Sequence, residues 1–355
     1  VKTAAFDYEL PPELIAQKPV TPRDASRLMV VDRREKAISH HHFYDLPKFL
    51  EPGDLLVHNQ TRVVRARLFA LKPTGGKVEI LLLRQRDDRI WRALVGGKRV
   101  RPGLTLTLLD GPDGAPVGAT AEVLEQGERA VRVLKFDRPV LSLAEEIGIT
   151  PLPPYIHEAL EDDERYQTIY ASKPGSAAAP TAGLHFTPEL LHELREKGVR
   201  SEFITLHIGL DTFQPVREEQ LEDHRMHTEY CWLSPEAARQ VNETKLEGQR
   251  VVAVGTTSVR VLETAALRAV GGEACADSCA WRVVAAFEGE TNLFIYPGYE
   301  FRAVDALITN FHLPRSTLLM LVAAFAGKEL IDRAYAEAIE ERYRFYSFGD
   351  AMLIL

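Results

Sequence analysis

The sequence predicts an α/β main domain with a partly parallel sheet, plus an inserted small antiparallel β-barrel domain. Three observations carry this expectation. Beyond residue 186, helix-opening triplets, a glycine stop and an apolar run follow one another repeatedly, the helix-then-strand order of a sheet with parallel strands. Between residues 63 and 150 the hydrophobic period changes to two, with turn signals at hairpin spacing. At 355 residues the chain is also too long for one ordinary core. The expected domains are residues 1–62 with 151–355, a discontinuous catalytic domain, and residues 63–150, the barrel.

In chain order, Pro11-Pro12-Glu13 opens a short helix through Ala16. Arg27 to Val31 reads as a strand, Leu46 to Leu50 as a helical turn and Leu55 to Val57 as a buried strand. In the barrel, Arg65 and Arg67 alternate with Ala66 and Leu68. Leu104, Leu106 and Leu108 alternate with Thr105 and Thr107, and Val131 and Val133 with Arg132. Gly75-Gly76, Gly96-Gly97, Asp110 to Gly114 and Gln126-Gly127 supply hairpin turns. After the proline-rich hinge Pro151 to Pro154, Thr187-Pro188-Glu189 and Ser234-Pro235-Glu236 each join an N-cap, a first-turn proline and an acid. Gly198 and Gly248 stop those helices, and Val199 to Ile208 and Arg250 to Val254 follow as strands. Ala306 to Ile308 forms a strand that delivers Thr309, Asn310 and His312 into a loop, after which Ser316 caps a helix. Ile331, Ala334, Tyr335, Ala338 and Ile339 make a core-facing helical stripe, and Ala351 to Leu355 closes the chain as a strand.

Composition narrows the class. Hydrophobic residues at 45% and charged residues at 26% suit a soluble globular protein. The longest apolar run, Leu318 to Ala326, is about half a membrane span, and no charged-then-apolar leader opens the chain, so a cytoplasmic protein without a membrane partner is expected. Cys231, Cys275 and Cys279 are odd in number with no zinc-like pairing, and are read as reduced thiols. His40-His41-His42 cannot converge on one ion, because successive strand residues face opposite ways. The net charge is −8, yet residues 62–101 hold twelve Lys or Arg against three acids, a local +9. Such a basic module can hold a polyanion; a solvated face paired with acidic residues is the alternative.

Several stretches carry chemistry. Gly255-Thr256-Thr257-Ser258 lies where a strand becomes a helix, and with Arg260 could hold a carboxylate or phosphate; an ordinary helix cap is the alternative. No dinucleotide or nucleoside-triphosphate glycine motif occurs. Pro174 to Phe186 is almost free of large side chains until His185, which lets backbone approach a flat ligand. His207 ends a strand. Asp223, His224, His227 and Glu229 gather proton-transfer groups in one short stretch, without the spacing of a zinc-binding helix.

Phe6 to Pro11, Ala179 to Phe186, Glu222 to His224, Met226-His227, Gly255 to Arg260, Phe294 to Tyr299, Thr309 to Pro314 and Ser347 to Met352 together resemble the S-adenosylmethionine:tRNA ribosyltransferase-isomerase family of queuosine biosynthesis. Asp211 departs from the pattern, standing where that family is expected to have glycine. The resemblance implies transfer and isomerisation of the ribosyl part of S-adenosylmethionine onto the 7-aminomethyl-7-deazaguanine base at the tRNA wobble position. Epoxyqueuosine in tRNA, adenine and methionine are the implied products. S-adenosylmethionine would then be a consumed co-substrate, with no metal required, and the partner a tRNA anticodon stem-loop with a GUN anticodon. A monomer is expected.

On that basis the acid/base candidates are His185, His207, Asp223, His224, His227, His312 and Asp350. The substrate-binding candidates are Thr181, Gly183, Thr256, Thr257, Ser258, Arg260, Tyr296 and Asn310, and the tRNA-binding candidates are Arg62, Arg65, Arg67, Lys98, Arg99 and Arg101. A non-catalytic RNA-binding protein and a metal-dependent nucleoside hydrolase are the alternative readings.

Overall fold

The computed structural model describes residues 1–158, 160, 162–209, 216, 218–271 and 282–355; Asp211, Cys275 and Cys279 lie outside them. The chain divides into two compact units, residues 1–61, 154–172 and 180–355 in the larger and residues 62–153 and 173–179 in the smaller.

The larger unit begins with β1 (Arg27–Asp32), β2 (Ala37–His42) and β3 (Leu55–Asn59). A short strand β4 (Thr61–Val63) leads into the smaller unit, whose strands are β5 (Arg67–Leu71), β6 (Lys77–Gln85), β7 (Ile90–Val95), β8 (Thr105–Leu109), β9 (Pro116–Gln126) and β10 (Val131–Phe136). These six close into an antiparallel barrel in the order β10-β7-β6-β5-β8-β9. Helix α1 (Val140–Ile147) adds Val140, Leu143, Ala144 and Ile147 to the barrel core around Trp91, Leu106, Leu134 and Phe136.

Two expectations for the barrel are corrected. Gly96-Gly97 does not close a hairpin, because β7 pairs with β6 and β10 while β8 pairs with β5 and β9. The true β6–β7 turn is built by Asp87, whose carboxylate accepts the N–H groups of Arg89 and Ile90. Arg132 does not alternate outward. It is buried, and its guanidinium donates to the carbonyls of Val100, Arg129 and Val131.

After β11 (Lys173–Ser176), which ladders with β4, the larger unit continues as α2 (Pro188–Glu196), β12 (Arg200–Leu206), β13 (Glu229–Leu233), α3 (Pro235–Leu246), β14 (Val251–Val254) and α4 (Thr256–Gly271). Then come β15 (Phe287–Thr291), β16 (Ala306–Asn310), α5 (Thr317–Ala326), α6 (Lys328–Glu340) and β17 (Ala351–Ile354). Among the described residues, nine strands form one sheet in the order β15-β13-β12-β3-β14-β16-β17-β1-β2. β12, β3, β14 and β16 run parallel, β17 is antiparallel to β16, and β1 is parallel to β17. The expected fold class, a partly parallel α/β sheet with a small antiparallel barrel, is therefore present.

The expected caps form: Thr187, Ser234 and Ser316 each accept a backbone N–H of the first turn. β3, β14, β16 and β17 are buried along their whole length, which is why they read as continuous apolar runs. The helix expected through Ala16 shrinks to a turn, Pro12–Leu14, since Ile15 bridges to Phe345 and leaves the helical path. No helix among the described residues is long and apolar enough to cross a membrane.

Candidate active site

Parallel strands bring their carboxyl ends to one edge, and that edge of an open α/β sheet is where ligands bind. In the larger unit Leu206, Asn59, Val254 and Asn310 end β12, β3, β14 and β16 at this edge. The opposite pairing sense of β17 puts Asp350 there, and β1, parallel to β17, adds Ser26. Segments distant in sequence thus meet through strand register.

The first group centres on His185, in the turn Thr181–His185. Its Nδ1 lies 2.7 Å from Ser26 Oγ and its Nε2 lies 3.2 Å from Asn310 Nδ2. Thr181 donates its hydroxyl to Asn310 Oδ1 at 2.8 Å, so the Asn310 amide nitrogen faces the imidazole and Nε2 accepts. Nδ1 then carries the proton and donates to Ser26. The ring stacks on Phe43. Burial first, then the Arg344 and Arg23 charges, push the His185 pKa down to about 3, so the ring is neutral near pH 7.

A second group surrounds Asn59. Its Nδ2 donates to the Leu206 carbonyl at 3.0 Å and to Thr257 Oγ1 at 3.3 Å, while Oδ1 accepts from Leu206 N and Thr61 N. Thr61 Oγ1 meets His207 Nδ1 at 2.7 Å, and the His207 ring stacks on Tyr230. Burial lowers the His207 pKa to about 4. Sequence reading missed Ser26, Asn59 and Thr61. Asn59-Gln60-Thr61 repeats the signal that flagged Asn310, polar residues at the end of a wholly apolar strand.

Several expected roles do not fit the contacts. Asp350 accepts the backbone N–H of Arg27 at 2.9 Å and of Arg344 at 2.8 Å, so this buried carboxylate clamps β17 to β1 and is unsuited to proton abstraction. His312 is a packed residue: Nε2 bonds Thr309 Oγ1 at 2.7 Å, its N–H donates to Tyr335 Oη, and Tyr8 Oη donates to its carbonyl. Burial holds its pKa down to about 3. Ser258 donates to the Val254 carbonyl, and Arg260 forms a buried ion pair with Glu229 while its Nε donates to the Leu293 carbonyl. Arg260 is therefore already neutralised, which removes the reason to give it a substrate anion.

Asp223 is exposed in the turn Leu221–Asp223, and His227 is exposed after it. His224 is half-buried, with Nδ1 3.0 Å from Glu218 and its ring edge on Phe294. Tyr296 also packs on Phe294, with ring centroids 5.0 Å apart. Thr256 opens α4 beside Gly255, whose φ of +89° suits glycine. Among the described residues no three His, Cys, Asp or Glu side chains gather as a metal-binding group. His40 instead bonds Tyr343 and Glu337.

In the smaller unit Lys98, Arg99 and Arg101 are exposed in the β7–β8 connection, with no ion pair among the described residues. Arg67 pairs with Glu79 at 3.1 Å, and Arg65 donates to the Glu145 carbonyl at 3.2 Å. Arg62 is half-buried. The basic surface is thus partly paired and partly open.

The family model described as "Queuosine biosynthesis protein" matches residues 3–354. The chain is similar to the S-adenosylmethionine:tRNA ribosyltransferase-isomerase of Thermus thermophilus, 56% identical over 354 residues that cover 99% of each chain. It is also similar to the protein of that name from Thermotoga maritima, 51% identical over 356 residues and 100% of each chain. Among solved structures it is similar to the S-adenosylmethionine tRNA ribosyltransferase of Thermotoga maritima, with a TM-score of 0.55, 43% identity, and 99% of this chain and 100% of that chain covered.

Proposed function

Because the chain belongs to the queuosine biosynthesis protein family, we propose that it transfers and isomerises the ribosyl part of S-adenosylmethionine onto the 7-aminomethyl-7-deazaguanine base at the tRNA wobble position. The observation that carries this reading is the meeting of four motif segments, those of His185, Gly255, Asn310 and Asp350, at one edge of the parallel sheet, in a chain 51–56% identical to such enzymes from end to end. S-adenosylmethionine is the consumed co-substrate. The tRNA partner is an anticodon stem-loop with a GUN anticodon, and the enzyme works as a cytoplasmic monomer without a metal.

The chemistry assigns tasks to the residues at that edge. The sulfonium acidifies the ribose C5′ protons, one of which must be removed, and the departing adenine must be protonated or hydrogen-bonded. The attacking amine must be neutral, which a dry site favours. A carbon–nitrogen bond forms to the base amine as the bond to adenine breaks. The bond to methionine sulfur breaks as the ribosyl carbons and ring oxygen rebond into the epoxy-cyclopentane. Of the protons lost from C5′ and the amine, one goes to adenine and one to solvent. With Asp350 and His312 engaged in packing, proton transfer falls to the Asp223–His227 stretch, with His185 and His207 as hydrogen-bonding groups. A base of pKa about 3 or 4 is weak, so His185 and His207 act in their present settings chiefly as neutral hydrogen-bonding groups. Thr181, Gly183, Thr256, Thr257, Tyr296 and Asn310 are assigned to substrate contact or its support. Arg62, Arg65, Arg67, Lys98, Arg99 and Arg101 are assigned to tRNA phosphates.

Incubation with S-adenosylmethionine and tRNA carrying the 7-aminomethyl-7-deazaguanine base tests the proposal. Equal amounts of adenine and methionine, with an epoxy-cyclopentane nucleoside in the digested tRNA, are expected. Folded protein that binds tRNA yet releases neither product would refute it.

A further inference from the structure

We propose that one end of the barrel is a single phosphate-binding surface for tRNA, formed by the β7–β8 connection and the β9–β10 hairpin together, with Arg129 as a further contact and buried Arg132 as the residue that positions both loops. This rests on the tRNA partner proposed above and adds residues outside the set assigned there.

Strand register brings the two loops side by side. β10 pairs with β7 so that Val131 opposes Leu94, and Val95 N–H donates to the Ala130 carbonyl at 2.9 Å. The chain leaving β7 therefore starts beside the hairpin that opens β10. Arg132 has the same parity along β10 as the core residues Leu134 and Phe136, so its side chain turns into the barrel end. There its Nε donates to the Val100 carbonyl at 2.9 Å, and its Nη1 to the carbonyls of Arg129 at 3.0 Å and Val131 at 2.7 Å. One guanidinium thus holds the β7–β8 connection at Val100 and the hairpin at Arg129. Lys72 adds a second hold, its Nζ donating to the Lys98 carbonyl at 3.1 Å.

The positive charge of this end is left uncompensated. Residues 96–104 and 127–130 carry Lys98, Arg99, Arg101 and Arg129 against Glu128 alone, and all five are exposed. Among the described residues none of these cations, nor Arg132, has an ion-pair partner. Carbonyl partners orient a guanidinium but do not neutralise it. Methionine or leucine could seal the barrel end without a charge that must be desolvated. Arg99 at φ +62° and Arg129 at φ +51° also hold left-handed backbone, which glycine adopts at less cost. Each loop thus keeps an arginine where the backbone alone would favour glycine. Several long cations on an exposed surface suit a chain of phosphates, whose counterions they release, and not a small anion, which is held by enclosure.

The test measures binding of a labelled tRNA to the full chain by fluorescence anisotropy across several salt concentrations. Arg129→Gln, an exposed change, should reduce the slope of log affinity against log salt by about 0.7–0.9, the share of one phosphate. Arg132→Met should reduce it by about 1–2, and Arg132→Lys by less, because losing the guanidinium releases the loop cations from their places. With Lys98, Arg99, Arg101 and Arg129 all changed to Gln, adding Arg132→Met should alter tRNA affinity by about twofold or less. An unchanged slope in Arg129→Gln takes the hairpin out of the surface. A lowered melting point with an unchanged slope in Arg132→Met makes that residue structural only. Either result overturns the proposal.

If Arg132→Met does not fold, the unaltered protein is treated with an arginine-selective dicarbonyl reagent, with and without tRNA, and mapped. Protection of Arg129 together with Arg99 or Arg101 supports one surface; any other pattern overturns it. Adenine release by the unaltered enzyme, from S-adenosylmethionine and tRNA carrying the 7-aminomethyl-7-deazaguanine base, is followed in parallel. Its absence refutes the reaction, whereas normal release with an unchanged slope in Arg129→Gln refutes only this surface.

Discussion

Gly183 shows how closely the His185 turn is fitted. A Cβ there would stand 2.2 Å from Tyr170 Oη and 2.9 Å from Thr168 Cγ2. Tyr170 cannot swing away freely, since its ring packs on His58 and Phe203. Gly183→Ala should therefore shift the turn that carries Thr181 and His185, costing about 1–3 kcal/mol of stability and slowing adenine release by roughly tenfold or more. Wild-type melting and turnover in this variant would show that the turn tolerates displacement. His58 itself is fully buried and its Nδ1 has no hydrogen-bond partner among the described residues, and burial holds its pKa down to about 3 from 6.5. A histidine kept neutral by the fold contributes stability that is complete above the unfolded pKa and is lost as pH falls toward the folded one. His185, His207 and His312 act in the same direction. The denaturant midpoint should thus drop between pH 7 and pH 4.5, and His58→Phe, near-isosteric among aromatic neighbours, should reduce that drop. An identical pH profile in the variant would remove His58 from the explanation.

At the scale of elements, the buried pair of Arg260 on α4 and Glu229 at the start of β13 fastens helix to sheet edge, and Glu229 also accepts Gly209 N–H at 2.9 Å. Removing one partner leaves a buried charge, so Arg260→Leu should cost about 3–5 kcal/mol, and Arg260→Met combined with Glu229→Gln should cost less than the two single changes together. Chemical denaturation of the four proteins measures this. A substrate role for Arg260 predicts the reverse pattern, weaker S-adenosylmethionine binding with stability intact. Glu263 of α4 works similarly, its buried carboxylate accepting the N–H groups of Arg302, Ala303 and Val304 that lead into β16.

For the whole molecule, the relevant quantity is where unpaired positive charge remains. Arg67, Lys77 and Arg86 are engaged by Glu79, Asp113 and Glu125, whereas Lys98, Arg99 and Arg101 are exposed in one connection of the barrel. Replacing these three by Gln should reduce the slope of log tRNA affinity against log salt by about 2–3, since each phosphate neutralised contributes about 0.7–0.9. An unaltered slope, measured across several salt concentrations, would move the tRNA surface elsewhere on the protein.

Sequence alone determined the local signals, because they depend on neighbours a few residues apart: the caps at Thr187, Ser234 and Ser316, the wholly apolar strands, the period-two barrel and the motif segments. Strand order and partner choice depend on contacts hundreds of residues apart, so only the tertiary structure decided them. It turned the Gly96-Gly97 connection into a crossing and sent Arg132 inward. The site divides the same way. Asn310 and His185 were legible as polar groups after apolar or small-residue runs, but their sharing of one hydrogen bond follows from register. Asp350, His312 and Arg260 read as reactive in one dimension because reactive and structural polar residues look alike there. Burial and engagement by backbone, hydroxyl or ion-pair partners tell them apart, and both are properties of the fold.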